Sequence, residues 1–147
     1  SEGEPEPLVS FGFTVDEPHV SPDGRWLAYT SQESGRWEVY VEPYRREGER
    51  VRVSVDGGGQ PKWRGDSQEL FFAGVNGDLM SVAFRAVGDR AEVDLPTKLF
   101  ELGGFLGPEY DDYAPSSDGQ RFLVKVPVEE SEAVQIHIVT NWQSLLD

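Results

Sequence analysis

Along this chain, apolar residues come in short runs broken by turn residues. Trp26-Leu27-Ala28-Tyr29 and Glu38-Val39-Tyr40-Val41 are two such runs, with Ser34-Gly35-Arg36 between them and Ser21-Pro22-Asp23-Gly24 in front. Runs of this length, bounded by Gly, Pro, Asp and Ser, read as strands joined by tight turns. The pattern predicts strands over 26–32, 38–43 and 50–54, then 69–73, 78–84 and 97–101, then 121–127 and 133–140. No segment sustains a helical period, so the expected class is all-β.

The turns repeat. Glu17-Pro18-His19-Val20-Ser21-Pro22-Asp23-Gly24 aligns with Gln60-Pro61-Lys62-Trp63-Arg64-Gly65-Asp66-Ser67 and with Asp112-Tyr113-Ala114-Pro115-Ser116-Ser117-Asp118-Gly119. The turn aspartates 23, 66 and 118 recur at intervals of 43 and 52 residues. A four-stranded repeat takes about 40–45 residues, so the second interval needs an insertion. Leu102-Gly103-Gly104-Phe105-Leu106-Gly107-Pro108 is the stretch expected to hold it.

"SPDGRWLAYTS", "GGGQPKWRGDSQELFF" and "SSDGQRFLVKVP" resemble the WD40-like, TolB-type β-propeller repeats of bacteria. The resemblance covers nearly the whole chain. The ending Ile136-His137-Ile138-Val139-Thr140-Asn141-Trp142 is similar to the last blade of propellers linked to bacterial serine/threonine kinases as sensor domains. The resemblance implies a bacterial source and an extracytoplasmic setting. For function it is nearly silent, because one fold hosts many activities.

On this reading the chain is a single half-propeller domain: a closing strand in 1–15, then blades at 16–56, 57–102 and 103–147. The third blade lacks an outer strand, and Pro7-Leu8-Val9-Ser10 resembles an outer strand without a blade. Three blades are fewer than the usual 4–8 of a closed ring. Open edges are an aggregation liability, and a two-fold dimer is the commonest symmetric assembly. The expectation is a six-bladed homodimer closed by strand exchange.

Inner strands of a propeller line its channel, so the repeat selects candidate residues. Glu17, Gln60 and Asp112 are equivalent; His19, Lys62 and Ala114 lie two residues further, on one strand face. Asp16, Glu109 and Asp111 add negative charge at the same end. Clustered carboxylates should either raise their pKa values or hold a divalent cation, Ca²⁺ by oxygen ligands or Zn²⁺ with His19 nearby. In that reading Glu17 and Asp112 are the metal ligands and His19 the base, with Gln60, Lys62, Asp16, Glu109 and Asp111 lining the channel. The plainer reading is that these groups cap turns and meet solvent or Lys62.

Charge narrows the partners. With 27 acidic and 13 basic residues the net charge is −14, which opposes binding to phosphate backbones and to anionic membranes. The expectation is no nucleic acid and no membrane insertion. The absence of cysteine excludes disulfides and thiolate chemistry. No GxSxG elbow, HExxH helix motif or phosphate-loop signature is present. Two functions therefore stand: a propeller module binding a small molecule or protein, or a metal-assisted, promiscuous hydrolase of phosphotriesters, lactones or activated esters at the channel mouth.

Overall fold

A computed structural model describes residues 12–103, 111–127, 134–140 and 142–143. These residues form three antiparallel sheets and no α-helix, so no helix among them could cross a membrane. The first sheet runs β1 (Val15–Val20), β2 (Trp26–Ser31), β3 (Glu38–Pro43) and β4 (Val51–Arg52), in that order. The second has β5 (Gly59–Trp63), β6 (Glu69–Ala73) and β7 (Asp78–Val87), with β8 (Arg90–Val93) and β9 (Thr97–Glu101) both paired to β7. The third is β10 (Tyr113–Pro115), β11 (Arg121–Pro127) and β12 (Val134–Thr140).

The β7–β8 hairpin was not visible in the hydrophobic pattern. Phe84 to Val87 pair with Arg90 to Val93 beyond the body of the sheet. This hairpin absorbs part of the surplus that the sequence pattern assigned to 102–108; residues 104–108 of that stretch lie outside the described residues. The proposed closing segment 7–10 also lies outside them.

Alternation along the strands gives each sheet two faces, and the sheets stack in chain order. Trp26, Ala28, Val39 and Val41 of the first sheet pack on Leu70, Phe72, Val82 and Phe84 of the second. The opposite face of the second sheet, with Phe71, Ala73 and Leu79, packs on Tyr113, Phe122 and Val124 of the third. Edge-to-face rings lock both contacts: Trp26 meets Phe84 of the second sheet, itself braced by Trp63 of the same sheet, and Phe71 meets Phe122, with centroids 5.0–5.2 Å apart. Each sheet thus has a preceding face and a following face. The first sheet's preceding face (Leu27, Tyr29, Tyr40) is buried, bordered by Val15 and Tyr44. The third sheet's following face leaves Leu123, Ile136 and Ile138 exposed by 42%, 65% and 68%.

The repeated turns are built alike. Ser21 Oγ donates to Asp23 Oδ1 and accepts from Trp26 N–H, and Ser116 does the same with Asp118 and Arg121 N–H. At the middle turn Arg64 replaces the serine and holds Asp66 with two guanidinium nitrogens at 2.8 and 2.9 Å. The turns also touch: Asp23 N–H donates to Ser67 Oγ at 3.1 Å, and Gly65 N–H to the Ser117 carbonyl at 2.8 Å. At Gly65 a Cβ would stand 2.8 Å from that carbonyl and closer still to the Ser117 hydroxyl. Gly65→Ala is therefore expected to separate the second and third turns and lower stability by about 1–3 kcal/mol, measured by urea unfolding.

Candidate functional site

Strands β1 and β5 and the residue just before β10 bring the three equivalent positions Glu17, Gln60 and Asp112 into one hydrogen-bonded line. Glu17 Oε2 accepts the Gln60 N–H at 2.6 Å. Gln60 Oε1 in turn accepts the Asp112 N–H at 2.9 Å, and Gln60 Nε2 donates to Asp112 Oδ2 at 2.7 Å. Tyr113 closes the corner by donating its hydroxyl to the Gln60 carbonyl at 2.6 Å. The rule is the same at both steps: a side-chain oxygen of one sheet takes the backbone N–H of the equivalent residue in the next.

Local backbone geometry makes this possible. Glu17 and Gln60 have φ of 51° and 56°, and each sits at a β-bulge, where the pairing of β1 with β2 and of β5 with β6 shifts register. Left-handed φ costs a non-glycine residue about 1–2 kcal/mol, so the contacts around it must hold it there. The bulge turns the side chain and N–H along the stacking direction instead of across the sheet. Gln60 is fully buried, yet both ends of its amide are bonded, as a buried polar group requires.

Around this line lies a more open polar group. Lys62 Nζ is 2.5 Å from Asp111 Oδ1, linking the second and third sheets. His19 is half-buried; burial and the Lys62 charge push its imidazole below the usual range. The Asp111 carboxyl is held low by its hydrogen bond from Lys62. Asp16 Oδ1 accepts the Glu17 N–H at 2.8 Å. Burial raises the Tyr113 phenol well above its ordinary value. Glu109 lies outside the described residues.

The site therefore gathers Glu17, Gln60 and Asp112 in one line and His19, Lys62 and Asp111 in a group beside it. It does not bring Glu17 and Asp112 side by side, because the Gln60 amide stands between them. Among the described residues, no three His, Asp or Glu side chains lie close enough together to share a metal ion. The repeat alignment gave Glu17, Gln60 and Asp112 as equivalent positions; that they bond to one another is seen only in the structure. Glu17 and Gln60 each precede a proline, which ordinarily favours extended backbone, so the sequence carried no signal for the positive φ at either position.

Burial drives the Glu17 carboxyl from 4.5 up to about 7, against the lowering effects of the Gln60 N–H and the Lys62 charge. A carboxyl with a raised folded-state pKa contributes stability that is full below its unfolded value and is lost as pH rises through the folded one. Ionising Glu17 should thus weaken the fold between about pH 4.5 and pH 7. Glu17→Gln puts in the first sheet the amide that the second sheet already uses. The variant is expected to match the parent near pH 4 and to exceed it at pH 8 by on the order of 1–2 kcal/mol, after allowance for solvent screening of a half-buried group. Urea titrations of both proteins across this range check the difference.

No family model matches the chain, and no curated protein matches it. Solved structures do. TolB from Acinetobacter baumannii is 19% identical, with a TM-score of 0.58 over 90% of this chain. An oligogalacturonate lyase from Vibrio parahaemolyticus is 12% identical, with a TM-score of 0.54 over 80% of this chain. The chain spans 31% of the length of each. Both are β-propellers, and the likeness shows the fold: the chain has a TolB-type, propeller-like all-β fold.

Proposed function

We propose that the chain is a ligand- or protein-binding propeller module whose working face is the inner-strand end. One observation carries the reading. Three blades deliver equivalent inner-strand positions to a single rigid polar line, and His19, Lys62 and Asp111 stand beside it. A fixed line of satisfied groups holds its neighbours in place, which is what a recognition surface needs. His19 and Lys62 supply donors and Asp111 an acceptor, so the matching ligand is small and polar, or a polar loop of a protein.

The module is closed into a ring by a second copy, with residues 7–10 of one chain completing the third blade of the other. Support comes from the third sheet, which among the described residues has three strands against four in the first, and from the exposed Leu123, Ile136 and Ile138. A metal-assisted hydrolase at the same mouth draws less support: in a single chain Gln60 separates the two carboxylates that would hold the ion. The kinase-linked sensor setting belongs with the binding reading and rests on the resemblance of the last blade.

Screening small polar ligands and divalent cations by thermal shift, followed by titration calorimetry of hits, tests the reading. A ligand of this face is expected to lose at least tenfold in affinity with His19→Ala or Lys62→Ala and to be indifferent to Arg85→Ala on the outer hairpin. Binding that ignores the first two changes would place the functional face elsewhere. Hydrolysis of activated esters or phosphotriesters that chelation abolishes and added Ca²⁺ or Zn²⁺ restores would favour the enzyme instead.

A further inference from the structure

The blade-to-blade rule has two open ends. At the last blade, Asp112 is the residue whose side chain should accept an N–H from a following blade. Its Oδ2 takes the Gln60 amide, while its Oδ1 has Lys125 Nζ at 4.0 Å. At the first blade, Glu17 is the residue whose N–H should go to a preceding blade. Instead it goes to the neighbouring Asp16 side chain, a local stand-in. Among the described residues, one end has no N–H from a following sheet and the other no acceptor from a preceding one, and they are the same positions of the repeat.

The apolar surfaces match in the same sense. Leu123 lies opposite Ile138 across β11 and β12, and Ala114 opposite Leu123 across β10 and β11, so all three share the open following face of the third blade. On the first blade Val20 lies opposite Leu27, on the preceding face, and is 41% exposed. Leu27, Tyr29 and Tyr40 further out are buried within one chain, so the first blade is open at its inner edge. In the second blade the equivalent of Val20 is Trp63. Its Nε1 donates to the carbonyl of His19, the equivalent of Ala114, at 3.1 Å. Continuing that contact places Val20 against Ala114.

We infer that the following face of the third blade receives the inner edge of the first blade of a second copy, with Asp112 accepting the N–H of the partner's Glu17 and Ala114 meeting the partner's Val20. The inference rests on the dimer reading above and says which surfaces meet: head to tail, twice, about a two-fold axis. A symmetric meeting of two third blades would put Lys125 and Arg121 opposite their own copies and leave both ends of the hydrogen-bond line open.

The chain has no cysteine, so single thiols report the contact cleanly. Val20→Cys and Ala114→Cys proteins, each alone and as a refolded mixture, are treated with a short bismaleimide and run on a denaturing gel. The expected result is a crosslinked dimer in the mixture and none in either protein alone. A crosslink in Val20→Cys alone or in Ala114→Cys alone, or none in the mixture, overturns the inference. As a second measure, the exposed pair Ile136→Lys and Ile138→Lys together should weaken the dimer at least tenfold by light scattering with circular dichroism unchanged. A dimer indifferent to that change overturns the inference while leaving the dimer reading intact. A wild-type chain that is monomeric at tens of micromolar defeats the dimer reading itself, and the inference with it.

Discussion

The Gln60 amide is the contact on which the rest of this structure depends. It lies in the middle blade, fully buried, and is held by one neighbour through its backbone and by the other through its side chain. Apolar stacking alone would allow the sheets to slide or rotate over one another, since burial of surface is not directional. Hydrogen bonds from a residue locked at positive φ allow one registration. The energy of the stack comes from Phe71, Phe72, Phe84 and Phe122; its geometry comes from Gln60.

The two ends of the stack are held differently. At the inner end the line of Glu17, Gln60 and Asp112 runs from blade to blade, and at the turns Asp23 meets Ser67 and Gly65 meets Ser117. Both sets are side chain or backbone groups reaching along the stacking direction. Further out, cohesion is aromatic packing and exposed ion pairs, such as Arg46 with Asp89, which contribute little individually. The inner-strand end is therefore the part of the stack that directional hydrogen bonds hold. The raised pKa of Glu17 follows from the same design: the carboxylate that orders the first contact is withdrawn from water to do it.

Glu38 shows how buried charge is managed elsewhere in the first blade. Its fully buried carboxylate accepts from Ser54 Oγ and Gly57 N–H and pairs with Arg36 at 2.7 Å. These partners fix the loop that leads from the first blade to Gln60. A loop with that destination has to be held, because Gly58 passes so close that a Cβ there would meet the Phe72 ring and the Ala73 carbonyl. Only the carboxylate is buried, the Arg36 side chain being half-exposed, and withdrawing that charge from water offsets the attraction, so the pair serves placement more than stability.

Much was legible in the sequence. Alternating apolar runs, Ser-Pro-Asp-Gly turns and a repeat near 43 residues determined an all-β chain of stacked sheets, and the repeat register picked out Glu17, Gln60 and Asp112 as equivalent. These signals are local: a strand's period and a turn's chemistry act over a few residues. What only the tertiary structure decided was the direction in which those side chains point. A β-bulge and a left-handed backbone leave little mark on the hydrophobic pattern, and they depend on the neighbouring blade to hold them. The β7–β8 hairpin escaped for a related reason. Ala91 and Val93 of β8 do pack on the core, but they alternate with the solvated Arg90 and Glu92 over only four residues, too short a run to stand out in the hydrophobic pattern.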